Sequence, residues 1–164
     1  MTMTATNDPA AKLAAEKKLL DACVAECTKL VQSMRTQSPL DAARNKSKLD
    51  AVIKSVPKLP MDVKRKLLEE ARGFECIANT RAADAALQRA LEKARKDDEA
   101  ERNRLVGEAR NFCNKAMSLG AASSFRATVN RKIEIIMMTG GVEHDGPTIA
   151  KPADTVPKPA GPKS

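Results

Sequence analysis

Apolar side chains recur along the first thirty-odd residues at a helical interval. Leu13, Leu20, Cys27 and Met34 fall seven apart, with Cys23 and Leu30 between them. Alternating steps of three and four keep such residues on one side of an α-helix, the seam by which helices pack. Asp8 and Pro9 supply the start: a carboxylate for a free backbone N–H, then a proline whose fixed φ suits the first turn. The spacing predicts a helix from Pro9 to Thr36.

Ser38-Pro39 repeats the start signal. Leu49, Val52, Ile53 and Val56 then form one stripe, with Arg44, Lys48 and Lys54 roughly opposite at 100° per residue. This second helix ends at "VPKLP", where Pro57 and Pro60 stop it. A third begins at Pro60. From Phe74 to Val106 there is no Gly or Pro, and continuous helix over that stretch would span about 50 Å.

Residues 92–104, "EKARKDDEAERNR", have almost no apolar face. Glu92 with Lys96 and Asp98 with Arg102 are spaced to support an exposed helix. A turn at Asp97-Asp98, with Asp98 and Glu101 as a capping box, is the rival. The reading favours continuous helix. A last helix is expected over Ser124 to Met138, stopped by Gly140-Gly141. The fold class is therefore all-α: four to five helices in an elongated bundle with one long helix. Residues 1–7 are expected to be loose, 8–140 to form the bundle, and 141–164, with five prolines, to be a disordered tail.

"LLEEARGF" (67–74) and "LVGEARNF" (105–112) match at five of eight positions, 38 residues apart. A repeated packing unit would produce such an echo. Chance agreement between helix-forming letters would produce it too.

Composition narrows the core. The chain has no Trp or Tyr and three Phe. Without large flat rings, Leu, Ile, Val, Met and Ala must fill the interior, which suits close helix-on-helix packing. No run approaches the ~20 apolar residues of a membrane span. "MTMTATNDPAAK" has no basic start followed by an apolar run, so a cytoplasmic, reducing setting is expected, with cysteines as thiols.

Four cysteines are the main candidate chemistry. Cys23 and Cys27 share a helix face, and with Cys76 and Cys113 would supply four thiolates for zinc or an iron–sulfur cluster. Against this, only one closely spaced pair exists, and Cys76 and Cys113 occupy different places in the echo. Cysteine is also a common small core residue. Core filling is the favoured reading, with no cofactor.

Net charge is +8, and residues 44–66 hold eight basic against two acidic side chains. Arg44, Lys48, Lys54, Lys58, Lys64, Arg65 and Lys66 are thus candidates for binding nucleic acid or another polyanion. The plainer reading is a solvated lysine-rich face. The one histidine, His144, lies in the expected tail, so no Ser/His or Cys/His pair can be built in the bundle. No phosphate-loop, dinucleotide, zinc-protease or calcium-loop pattern occurs.

These readings point to a non-enzymatic helical scaffold, adaptor or assembly subunit whose partner is itself or another protein. The expected bearing residues are Leu20, Leu30 and Met34 in the first helix and Leu87, Leu91 and Leu105 along the long one. Ile133 and Ile136 in the last helix complete the set.

Overall fold

The computed structural model describes residues 8–139. Among them are five α-helices and no strand: α1 (Pro9–Ser33), α2 (Pro39–Ser55), α3 (Met61–Arg95), α4 (Glu99–Ser118) and α5 (Ser123–Thr139). The expected loose N-terminus, the 141–164 tail and His144 lie outside the described residues. No described helix is long and apolar enough to cross a membrane.

The start signals work as their chemistry dictates. The Asp8 side chain accepts from the Ala10 N–H, and Ser38 Oγ accepts from the Asp41 N–H. Each satisfies one of the orphan donors of a first helical turn. α1 tightens into a 3₁₀ turn at Met34–Thr36. The "VPKLP" link closes on itself through Leu59 N–H to Val56 O, and Leu59 is buried beneath it.

The expected continuous helix over 92–104 is not formed. α3 ends at Arg95 and α4 starts at Glu99. Asp97 takes a left-handed conformation, φ 57°. The Asp98 N–H bonds back to Lys93 O and the Asp97 N–H to Ala94 O. Those two bonds are the Schellman termination, and Asn or Asp tolerates its left-handed residue better than most. Asp98 then caps α4, accepting from the Glu101 N–H. The i,i+4 pairs that argued for continuity contribute only a few tenths of a kcal/mol each. That is less than a cap and the burial of Leu105 and Val106 in the core reached by Ala90 and Ala94. Where α4 ends, Gly120 (φ 106°) makes the same termination, with Ala121 N–H to Ala116 O and Gly120 N–H to Met117 O.

The chain divides into two compact units between Ala78 and Asn79, inside α3. The first has α1, α2 and the first half of α3, around Cys27, Val31, Met34, Leu49 and Ala71. The second has the rest of α3 with α4 and α5, around Ala90, Leu105, Ala109, Val129 and Ile133. Along α3 the buried positions are 67, 71, 75 and 78, and then 79, 83, 86, 87, 90 and 94. Positions 78 and 79 are 100° apart on a helix, so the buried stripe changes register at the join.

The echo is matched in burial. α3 begins at Met61 and α4 at Glu99, the same 38 residues apart. Leu67, Ala71, Glu75 and Ala78 are buried in the first unit; Leu105, Ala109, Cys113 and Ala116 are buried in the second. Leu49 and Leu87, also 38 apart, are buried as well. Each unit is thus a helical hairpin with one added helix: α1 before it in the first, α5 after it in the second.

Candidate functional site

A cavity of about 700 Å³ opens between α1 and the end of α2 in the first unit. Its apolar walls are Leu19, Leu20 and Cys23 from α1 and Val52, Val56 and Pro57 from α2 and the following link. They meet because α1 sets Glu16, Leu19, Leu20, Cys23 and Glu26 along one side at helical spacing, while Pro57 turns the chain away at the end of α2. Leu19 is 70% exposed, a large apolar side chain left in solvent at the mouth.

One ion pair borders this groove. Lys58 Nζ donates to Glu16 Oε2 at 2.7 Å. That hydrogen bond, then the ammonium's charge, holds the Glu16 carboxyl below its ordinary value. The pair ties α1 to the link after α2. The second unit has a smaller cavity of about 280 Å³ between α3 and α5, lined by Leu87, Leu91, Ile135 and Ile136. Lys132 and Asp84 pair across its edge at 3.5 Å.

The cysteines fall into different surroundings. Cys23 and Cys27 pack in the first core, and Cys113 packs in the second. Cys76 is half-buried. Burial pushes the Cys27 thiol up to about 11, with Cys23 beside it adding to the rise. Burial also raises Cys76. Both thiols are therefore protonated at neutral pH in the metal-free chain. No three His, Cys, Asp or Glu side chains among the described residues come together in a group that could hold a metal ion.

Of the seven basic candidates, Arg44 is paired with Asp41 at 3.5 Å and Arg65 with Asp62 at 3.1 Å. Lys58 is the groove's ion-pair partner. Lys48, Lys54 and Lys66 are exposed, and Lys64 is half-buried. The fourth basic side chain of α2, Lys46, reaches Glu75 Oε1 at 3.2 Å, where the carboxylate is only 3% exposed. In the second unit Arg104 bridges Glu101, at 2.6 Å, and Glu108. The Arg104 hydrogen bond lowers the Glu101 carboxyl, and the same contact raises Arg104. Salt bridges lower both acids, and that of Glu16 lies at the edge of the groove.

The seam residues are mostly spent inside the chain. Met34, Leu87, Leu105, Ile133 and Ile136 are buried, and Leu30 and Leu91 pack partly against the two cores. Leu20 is half-buried and lines the groove. The large apolar side chains left in solvent on α1 are Leu13 and Leu19. Leu19 is the residue that sequence reasoning passed over. Its signal was the doubled leucine at 19–20, where the seam has room for one.

Comparison with protein-family models, curated proteins and solved structures finds no match to this chain.

Proposed function

We propose that the chain is a non-enzymatic helical assembly protein whose binding face is the α1–α2 groove. The observation that carries this reading is the coincidence of an open apolar cavity of about 700 Å³ with a 70% exposed leucine at its mouth. Covering one such leucine contributes roughly 1.5–3 kcal/mol, and groove and knob together suit an amphipathic helix laid between α1 and α2.

A photo-crosslinking residue in place of Ser55, which is exposed and lines the groove, tests this in the full chain. The expected result is a covalent adduct to a second polypeptide, suppressed by Leu19→Glu. No polypeptide adduct, or an equal yield from the variant, overturns the proposal.

A further inference from the structure

The surface around Leu19 is self-complementary. Lys12, Ala15, Leu19, Ala22 and Glu26 are all exposed. Their spacing of three, four, three and four puts them in one stripe along α1. The stripe has a leucine at its centre, alanines on either side and opposite charges at its ends. Lys12 stands seven residues before Leu19, and Glu26 seven after it. Neither has a salt-bridge partner among the described residues.

We propose that the groove is filled by α1 of a second copy of this chain, the two α1 helices running antiparallel about a two-fold axis at Leu19. This rests on the reading of the groove as a binding face and names its occupant. Antiparallel pairing about Leu19 sets each residue against the one equally far on the other side. Lys12 of each copy meets Glu26 of the other, giving two identical ion pairs. Ala15 meets Cys23, and Ala22 meets Glu16, so a small side chain stands on one side of each contact and the backbones can come close. The two Leu19 side chains meet at the axis, beside Val52 and Val56 of both grooves. A contact of this kind closes on itself and forms a dimer, since the same patch serves both partners.

Charge selects this arrangement over its rivals. Parallel pairing in register would set Lys12 on Lys12 and Glu26 on Glu26. An acidic helix would be repelled by Glu26, and a basic one by Lys12. Two copies in antiparallel register satisfy both charges.

Sedimentation equilibrium of the full chain across concentration provides the test. Wild-type protein should show a monomer–dimer equilibrium. Leu19 is exposed, so Leu19→Glu should leave the helical circular dichroism unchanged while weakening dimerisation at least roughly tenfold. Lys12→Glu and Glu26→Lys should each weaken it by about threefold to tenfold, since each breaks two symmetric surface pairs. The double variant K12E/E26K should recover wild-type affinity to within about twofold, because the charges are exchanged rather than lost. An equimolar mixture of the two single variants should associate more tightly than either alone.

Wild-type protein that is monomeric throughout overturns the proposal. So does a dimer indifferent to Leu19→Glu, or a double variant no better than the singles. The Ser55 crosslink separates this inference from the one beneath it. An adduct of twice the 17.7 kDa chain mass supports self-pairing. An adduct of another mass overturns self-pairing and leaves the groove's role as a binding face standing.

Discussion

The two units use the same hairpin and finish it differently. In both, a Leu–Ala–Phe run lays leucine and alanine on a buried face with phenylalanine half-covered at its side. In the first unit, α1 packs by Cys23, Cys27 and Val31, with Met34 in the turn beyond, and leaves Leu13 and Leu19 in water beside an open groove. In the second, α5 packs by Val129, Ile133 and Ile136, leaves Ile135, Met137 and Met138 exposed, and borders a cavity less than half that size. In each unit the added helix forms one wall of the cavity. One buried position differs in kind as well. Glu75 needs a partner for its charge and has Lys46 among its contacts, whereas the equivalent Cys113 needs none.

The largest effect tests whether the hairpins are equivalent. Leu67→Ala and Leu105→Ala should each cost about 2–5 kcal/mol in urea unfolding, the transfer and cavity terms of a buried leucine. A cost below about 1 kcal/mol at either site would break the comparison. Next comes the position where the units differ. Lys46→Met should cost roughly 1–3 kcal/mol, since a buried carboxylate loses a charged partner. Adding Glu75→Met should restore most of that loss, because the charge that needed the partner is gone.

Helix termini belong to the second unit and carry smaller effects. Gly120→Ala should destabilise by about 1 kcal/mol, because its left-handed backbone strains any side chain. Asp98→Ala should cost a similar amount, about 1 kcal/mol, through the lost α4 cap. The cap variant should loosen α4 in hydrogen exchange and leave α1 and α2 protected; loosening throughout the chain would mean that the units are not separable.

The smallest effect is electrostatic and sits at the groove. Folding depresses the Glu16 carboxyl below its ordinary 4.5. Its ionised form therefore stabilises the fold at pH above that value, and the contribution fades as pH falls through the folded-state value. Stability curves of wild-type protein and Glu16→Gln should differ at neutral pH and converge in acid. Curves that stay parallel down to about pH 2 would mean that the Lys58 contact contributes nothing.

Much of the architecture was legible in short stretches. Asp8-Pro9, Ser38-Pro39 and "VPKLP" fixed the bounds of α1 and α2, because capping and proline geometry act within a few residues. The heptad through Leu13, Leu20, Cys27 and Met34 found the packed side at Cys27 and Met34, whereas Leu20 is half-buried and Leu13 stands in solvent. Residues 92–104 were misread because two local devices competed there: weak charge pairs for a continuous helix, and Asp97-Asp98 for a break. The break won through contacts that the stretch itself does not contain. α3 also defeated stripe reading over its full length, since its buried positions change register at Ala78–Asn79 and no single periodicity describes them. Leu20, Cys23 and Lys58 were singled out from sequence, but as members of three different sites. Only packing gathered them at one groove.

By itself the sequence determined that the chain is helical, where most of its helices begin, and which residues prefer to be covered. Those choices depend on backbone dihedrals, caps and side-chain periodicity, which neighbours along the chain settle among themselves. The tertiary structure decided where α3 and α4 part, and that Cys23 and Cys27 pack in one core and Cys113 in the other. It also decided that α1 buries Cys23, Cys27 and Val31 and leaves Leu13 and Leu19 in water. Such choices depend on which distant segments compete to cover the same surface, and no short stretch of chain contains its own competitors.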